Sequence, residues 1–320
     1  MFTTLDEIQS ARRNIEGQAI RTPLVRLNTF DAPAEIWLKL ENLQPIGSFK
    51  IRGAANAMAR IAPDALARGV LTASAGNMAQ GLAWCARERG VACTIVAPDT
   101  APVTKLQAIE RLGGRVILVP FGRWWQTFQD RAYPGVDATF VHAFDDPDVM
   151  AGNGTIGLEI LEDLPDMDAV VIPWGGGGLT CGIASALRAL KPACRVFAAE
   201  VETAAPLAAS LAAGSPQEVS YMPSFVDGIG SKTVFPRMFE RGRALVDGAL
   251  VATVAEVVAA LALMAERNRV IAEGAGACPV ACAVSGKAGG GKVVCIVSGG
   301  NIDVGKLCAV LSGRIVPPSS

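Results

Sequence analysis

Short apolar runs alternate along the chain with longer stretches whose apolar positions recur at helical spacing, and this alternation predicts parallel α/β architecture. Ile36–Leu40 reads as a strand, followed by a turn-rich link and a helix from about Phe49 to Met58. Val70–Ala73 reads as the next strand and gives way at a Gly-Asn pair to a helix over Met78–Glu88. Ala92–Val96, a helix from about Val103 to Leu112, and Arg115–Val119 continue the cycle. A second series runs through the strand Ala169–Pro173, the glycines 175–178, a helix over Leu179–Leu190 and the strand Arg195–Ala199. It ends with a helix over Ala255–Asn268 and a strand over Lys292–Val297. Two α/β units with a cleft between them fit this order, and the Pro/Gly-rich stretch 134–147 marks an approximate boundary.

Composition narrows the reading. The 320 residues are 51% hydrophobic and 18% charged, which is ample for a folded core and unlike a disordered tail. Lys and Arg number 29 against 30 Asp and Glu, and no basic run resembles a nucleic-acid tract. A ligand-sized anion remains compatible, because a few backbone donors hold one without net positive charge. The eight cysteines sit mostly among apolar neighbours without paired CxxC spacing, so they read as buried thiols in a reducing compartment. His142 is the sole histidine, which argues against zinc. The N-terminus lacks an export h-region, and the most apolar long segment, 249–265, is interrupted by Glu256 and too short for a span. A cytoplasmic protein with no membrane and no nucleic-acid partner is expected.

Three strand-to-helix turns carry candidate chemistry. Gly175, Gly176, Gly177 and Gly178 follow a strand and open a helix, so successive N–H groups and the helix terminus can converge on a phosphate. The same glycines also suit an ordinary tight turn. Neither a P-loop nor a dinucleotide fingerprint is present. Ser74–Gln80 offers amide and hydroxyl groups suited to a carboxylate or ring hydroxyl, or a plain helix cap. Ser298–Asn301 closes a third strand in the same manner, and ligands gather at such strand ends. Lys50 follows a Gly-Ser turn between Phe49 and Ile51, where desolvation would lower its pKa and free its amine for covalent chemistry. A surface lysine at a helix start is the alternative. Arg52 either repels the protonated amine or faces water.

Joined in order, these features resemble the fold type II pyridoxal-phosphate enzymes, specifically the serine/threonine dehydratase and serine racemase group. Thr22–Arg26 is similar to the group's opening motif, 39–54 to its cofactor-lysine motif, 74–80 to its Asn-containing loop and 175–179 to its phosphate cup. The stretches 152–157, 227–229, Glu273 and 298–303 complete the series, which spans nearly the whole chain.

The resemblance implies a tryptophan synthase beta-like fold, with two parallel-sheet α/β domains and the cofactor in the cleft. Residues 1–45 plus 149–320 would form the large cofactor-binding domain and 46–148 the small one. Lys50 would carry pyridoxal 5'-phosphate as an internal aldimine and act as general base. Phe49 and Gly228 would meet the two ring faces, and Asn77 the 3'-oxygen. Gly175 to Gly178 with Leu179 would bind the phosphate, Ser298 the pyridine nitrogen, and Glu273 would complete the cofactor site. Elimination from a β-hydroxy amino acid would then give a 2-oxo acid and ammonia. A homodimer is implied by the resemblance alone.

Departures from the pattern sharpen the expected substrate. Ala75 stands where racemases carry a second serine, which disfavours racemisation. Met78 replaces a histidine near the substrate carboxylate, beside Ser74, Gly76 and Asn77. Phe121–Trp125 places three aromatics in a loop beyond a strand end, so Trp124 would face an aromatic β-substituent and Arg123 would take the carboxylate. L-threo-3-phenylserine is therefore expected ahead of threonine or serine. A racemase or a non-catalytic binding protein remain the alternatives. Glu200 matches the first ligand of a divalent-metal site, and Ala204 offers only a carbonyl. Pro206 lacks the carboxylate the pattern wants, which leaves Mg2+ or Ca2+ open. The chain ends soon after Ser298, as in short catabolic forms.

Overall fold

A computed structural model describes residues 2–314. Apolar runs bounded by Gly, Pro and Asp form ten strands among them: β1 (Leu24–Arg26), β2 (Glu35–Leu40), β3 (Val70–Ala73), β4 (Cys93–Pro98), β5 (Arg115–Val119), β6 (Thr139–Phe140), β7 (Ala169–Pro173), β8 (Arg195–Val201), β9 (Gly248–Ala252) and β10 (Lys292–Val297). They build two sheets. The larger runs β1-β2-β10-β7-β8-β9, parallel except for the β1–β2 edge pair. The smaller runs β5-β4-β3-β6 and is wholly parallel. Every residue of β3 and β7 is buried, as expected of central strands covered by helices on both faces.

Register sets where the loops leave the large sheet. Val297 lies opposite Leu40, and Val293 opposite Ala169, so β2, β10 and β7 finish at a common edge. The chain leaving that edge supplies residues 41–50, 298–301 and 174–178. Ligands collect at such C-terminal strand ends because the helices that follow point their N-termini there.

One helix joins the two sheets. Pro147–Asp163 is capped by Asp146, whose side chain accepts from the N–H groups of Asp148 and Val149. It packs between the helices Lys50–Arg60 and Gly178–Leu190. The crossings are tight: a Cβ on Gly152 would lie 2.3 Å from the Arg52 carbonyl oxygen, and one on Gly182 would lie 2.3 Å from that of Met150. The 152–157 motif is therefore a helix-packing device.

Beneath these crossings lies a buried ionic network. Arg52 reaches Glu41 at 2.8 Å and Glu159 at 2.6 Å, while Lys39 reaches Glu159 at 2.6 Å. Thr22 donates to Glu41, and Lys39 also donates to the Thr22 carbonyl. Two cations face two carboxylates, so the charges balance. Losing one partner would strand a charge in the core, a cost of about 3–5 kcal/mol. Arg52 thus neither repels Lys50 nor faces water; of its two carboxylates, Glu41 lies 11 residues away and Glu159 lies 107 away in sequence.

Several sequence expectations are corrected. Residues 121–125 are not a loop: Phe121–Asp130 is a helix, and the aromatics at 121, 124, 125 and 128 form its stripe. The apolar stretch 249–265 divides at Thr253, which caps the helix Val254–Asn268 after β9 ends. Seven cysteines are buried, but Cys308 is exposed. Among the described residues, no helix is long and apolar enough to cross a membrane.

Candidate active site

Two loops are zipped together at the common strand edge. Ser48 and Gly299 form an antiparallel bridge, Phe49 N–H donates to the Ser298 carbonyl at 3.0 Å, and Gly300 N–H donates to the Gly47 carbonyl at 2.9 Å. This pairing holds the Lys50 loop of one strand connection against the Ser298 loop of another. Ser298 itself is buried.

Lys50 is the first residue of its helix and is half-buried. Its Nζ donates to the Ala143 carbonyl at 2.7 Å and lies 5.0 Å from the Phe49 ring centroid. Burial pushes its pKa down to about 8, and the facing Glu273 opposes that shift. A substantial neutral fraction near physiological pH follows, which suits an amine that must add to an aldehyde.

Glu273 shows the complementary effect. Burial and the nearby Asp227 raise its pKa to about 7, against opposing pulls from Asn77, Lys105 and Lys50. Asn77 Nδ2 donates to both Glu273 oxygens, at 3.0 and 3.2 Å, and Asn77 Oδ1 accepts from Asn301 Nδ2 at 2.8 Å. Asn301 also donates to the Ile46 carbonyl, which ties this triad back to the lysine loop. Gly228 sits between two of the predicted groups: a Cβ there would lie 2.8 Å from that of Ala275 and 3.4 Å from Glu273 Oε1, and one on Gly175 would lie 3.4 Å from the Gly228 carbonyl.

The glycine turn after β7 is built for close approach. A Cβ on Gly176 would strike the Phe144 ring at 2.1 Å, and Gly177 has φ +86°, a left-handed conformation that favours glycine. Gly177 caps the 13-residue helix Gly178–Leu190 with no side-chain hydrogen bond, so its first N–H groups are left for an anion. Leu179 and Phe49 share one apolar cluster, and Phe144 packs against its edge.

A pyridoxal ring with its phosphate asks for an amine with a depressed pKa, an anion cup of backbone donors, and a glycine where a ring face needs room. Lys50, the 175–179 turn and Gly228 meet these requirements. Residues 15–299 match the family described as pyridoxal-phosphate dependent enzyme. The chain belongs to that family. It is 39% identical to the L-threonine ammonia-lyase of Thermotoga maritima over 98% of its own length and 79% of the relative's. Maize serine racemase superposes with a TM-score of 0.88 at 31% identity, covering 98% of both chains. The processed threonine deaminase isoform 2 of Solanum lycopersicum gives 0.85 at 32%, covering 98% of this chain and 95% of that one. This is a fold type II enzyme of the threonine/serine dehydratase and ammonia-lyase family, a lyase that uses pyridoxal phosphate.

Other predicted residues of this pyridoxal-phosphate enzyme fall unevenly. The Ser74 hydroxyl accepts from Gly76 N–H at 3.2 Å, and Ser74, Ala75, Gly76 and Asn77 are all half-buried at a helix start with no side-chain cap. Met78 instead turns into the core of the small sheet, with Ile46, Ile51 and Leu82. Arg123 is exposed, its guanidinium 5.5 Å from the Tyr133 ring. Trp124 packs in a chain of aromatic rings: Phe121 at 5.3 Å, Phe128 at 6.0 Å, and beyond them His142, Phe144 and Phe235. Glu200 caps the helix Pro206–Ala213, taking Leu207 N–H at 2.9 Å and Ala208 N–H at 2.7 Å on its two oxygens. A divalent ion on Glu200 would compete with both donors. Ala204 is buried nearby, and among the described residues no three His, Cys, Asp or Glu side chains stand together as a metal group.

Sequence reasoning missed the segment 142–145. Ala143 supplies the acceptor for Lys50, and Phe144 walls the glycine turn. No motif marks them, because their roles depend on contacts with residues far away in sequence. Asn301 lies inside the 298–303 stretch, but its bond to Asn77 is not legible from the sequence.

Proposed function

We propose that the chain is an ammonia-lyase that removes water from L-threonine or L-serine and releases a 2-oxo acid and ammonia. The observation that carries this reading is the Lys50 amine, held on the Ala143 carbonyl next to Phe144, which packs on a glycine turn whose helix has no side-chain cap. When bound, pyridoxal phosphate supplies a covalent hold on the substrate amine and an electron sink for the bond broken at Cα. Gly175 to Gly178 and Leu179 would hold its phosphate, Phe49 and Gly228 would confine its ring, Ser298 would meet the ring nitrogen, and Asn77 with Glu273 would serve the 3'-oxygen. The Ser74–Met78 turn receives the substrate carboxylate. Lys50 Nζ takes the proton from Cα as general base. Ala75 offers no proton from the opposite side, which favours one-way elimination over racemisation. We also propose the division into a small domain, 46–148, and a large domain formed by the rest, and a homodimeric assembly.

Threonine and serine are favoured over phenylserine because the rings around Trp124 pack against one another instead of standing apart, and because similar proteins are threonine ammonia-lyases and threonine deaminases. Phenylserine is kept as a second reading by one observation: that aromatic block reaches His142 and Phe144, which flank the carbonyl partner of Lys50. The test is 2-oxo acid release from L-threonine, L-serine and L-threo-3-phenylserine. Turnover of the first two ahead of the third is expected; efficient turnover of the phenyl compound with inert threonine would reverse the assignment. No turnover of any β-hydroxy amino acid would end it.

A further inference from the structure

The carbonyl that receives Lys50 belongs to neither a strand nor a helix. Ala143 lies between β6 and the helix Pro147–Asp163, and its position is fixed by the side chain just before it. His142 Nδ1 accepts the main-chain N–H groups of Phe144, at 3.2 Å, and Asp145, at 2.9 Å. A main-chain N–H only donates, so Nδ1 must present a lone pair, and the imidazole is neutral with its proton on Nε2. The ring is buried between Phe128, 4.4 Å away, and Phe144, 4.7 Å away and edge-on. The charged groups that face it are Arg131, Asp145 and Lys50, and burial followed by Arg131 lowers its pKa to about 4. Asp145 is itself held by Arg241 at 2.8 Å and Arg131 at 3.0 Å, which anchors the far end of the turn.

We propose that His142 is a positioning residue for Lys50: its neutral Nδ1 shapes the 142–145 turn so that the Ala143 carbonyl receives the Lys50 amine whenever that amine is free. The inference rests on Lys50 being the working amine. A carbonyl accepts one N–H from either charge state, and it holds the ammonium more strongly than the neutral amine because that bond is charge-assisted. The lone pair of the neutral amine stays available. The ammonium left by proton abstraction gains a fixed partner until it returns its proton. The same turn seats Phe144 against Gly176, so one side chain aligns the amine with the anion cup.

The experiment compares His142→Leu, which lacks an acceptor, with His142→Asn, whose Oδ1 hangs from Cγ as Nδ1 does and can take both N–H groups. Borohydride trapping of the cofactor, followed by peptide mapping, first asks whether Lys50 carries it in the wild-type holoenzyme. Failure there sinks the assignment of Lys50, a separate outcome from those below. Holoenzyme turnover is then measured, together with the pH midpoint for acylation of Lys50 after cofactor removal. His142→Leu should lose roughly 10- to 100-fold in kcat with little change in KM, since a misplaced catalytic group costs about that much. Its labelling midpoint should fall below the wild-type value, because the ammonium has lost its acceptor. His142→Asn should recover most of kcat and restore the midpoint. Equal kcat loss in both variants, or a midpoint in His142→Leu that is unchanged or raised, overturns the inference. Should the leucine variant not fold, the asparagine variant decides: a midpoint displaced from wild type overturns the inference, and a matching midpoint supports it. Its thermal stability should also decline less than that of wild type as pH falls from about 6.5 to 4, since Asn keeps the contacts without titrating; an identical decline overturns the inference.

Discussion

Two strand-to-helix turns face the Lys50 region, and they are built in opposite ways. The turn after β3 presents side chains: Asn77 is tied to Glu273 and Asn301, and Ser74 closes on Gly76. The turn after β7 presents only backbone: Gly176, Gly177 and Gly178 are wedged against Phe144 and Trp174, and Gly175 against Gly228, before a helix with no side-chain cap. Backbone donors fixed by packing hold a group whose shape never changes, such as a phosphate. Side-chain donors linked to a titrating carboxyl can adjust as charge moves. The polar turn is therefore suited to the changing part of the reaction and the glycine turn to the constant part.

The largest expected effect tests whether either turn works without the amine. Lys50→Ala should lower 2-oxo acid release by roughly 10²–10⁴-fold or more while circular dichroism and cooperative melting persist. Turnover near wild type would show that both turns serve some other base.

Glu273 gives the polar turn a pH signature. Its folded pKa, about 7, lies above the ordinary carboxyl value, so folding favours the protonated form. Stability from this group is present below about pH 4.5 and is lost as pH rises through 7, on the order of 3 kcal/mol in total. Glu273→Gln stays neutral and keeps an acceptor for Asn77. Denaturant unfolding at several pH values should show the variant gaining on wild type between about pH 4.5 and 7. Parallel curves would remove the titrating partner from the comparison.

The glycine turn should be less forgiving of bulk than the polar turn. Gly176→Ala places a methyl inside the Phe144 ring, and overpacking of this kind costs about 1–3 kcal/mol. Equilibrium dialysis should show weaker cofactor retention. The smallest effect is expected from Asn77→Ala, which removes hydrogen bonds to Glu273 and Asn301 at a cost of about 1 kcal/mol in chemical unfolding, with cofactor retention largely kept. If Asn77→Ala released the cofactor more readily than Gly176→Ala, the division of labour between the turns would be reversed.

Much of the scaffold was readable because its signals are local. The predicted strands 70–73, 115–119, 169–173 and 292–297 match the observed bounds, since apolar runs closed by Gly, Pro or Asp specify both type and ends. The stretch 121–125 reads as a loop although the aromatics at 121, 124, 125 and 128 recur at three and four residues; it opens a helix with Pro120 as the N-cap. The helix over 147–163 was also unread, since four glycines or polar residues at 152–155 weaken the apolar period that would announce it.

The sequence by itself determined seven of the ten described strands, the glycine turn and the lysine segment, because each depends on neighbours within a few positions; β1, β6 and β9 went unread. Tertiary structure alone decided what Lys50 and Asn77 touch. Their partners Ala143, Glu273 and Asn301 lie 93, 196 and 224 residues away in sequence. Desolvation and hydrogen bonding act over ångströms of space, and only the packing of the turns after β3 and β6 against the common edge of β2, β10 and β7 brings those groups within reach.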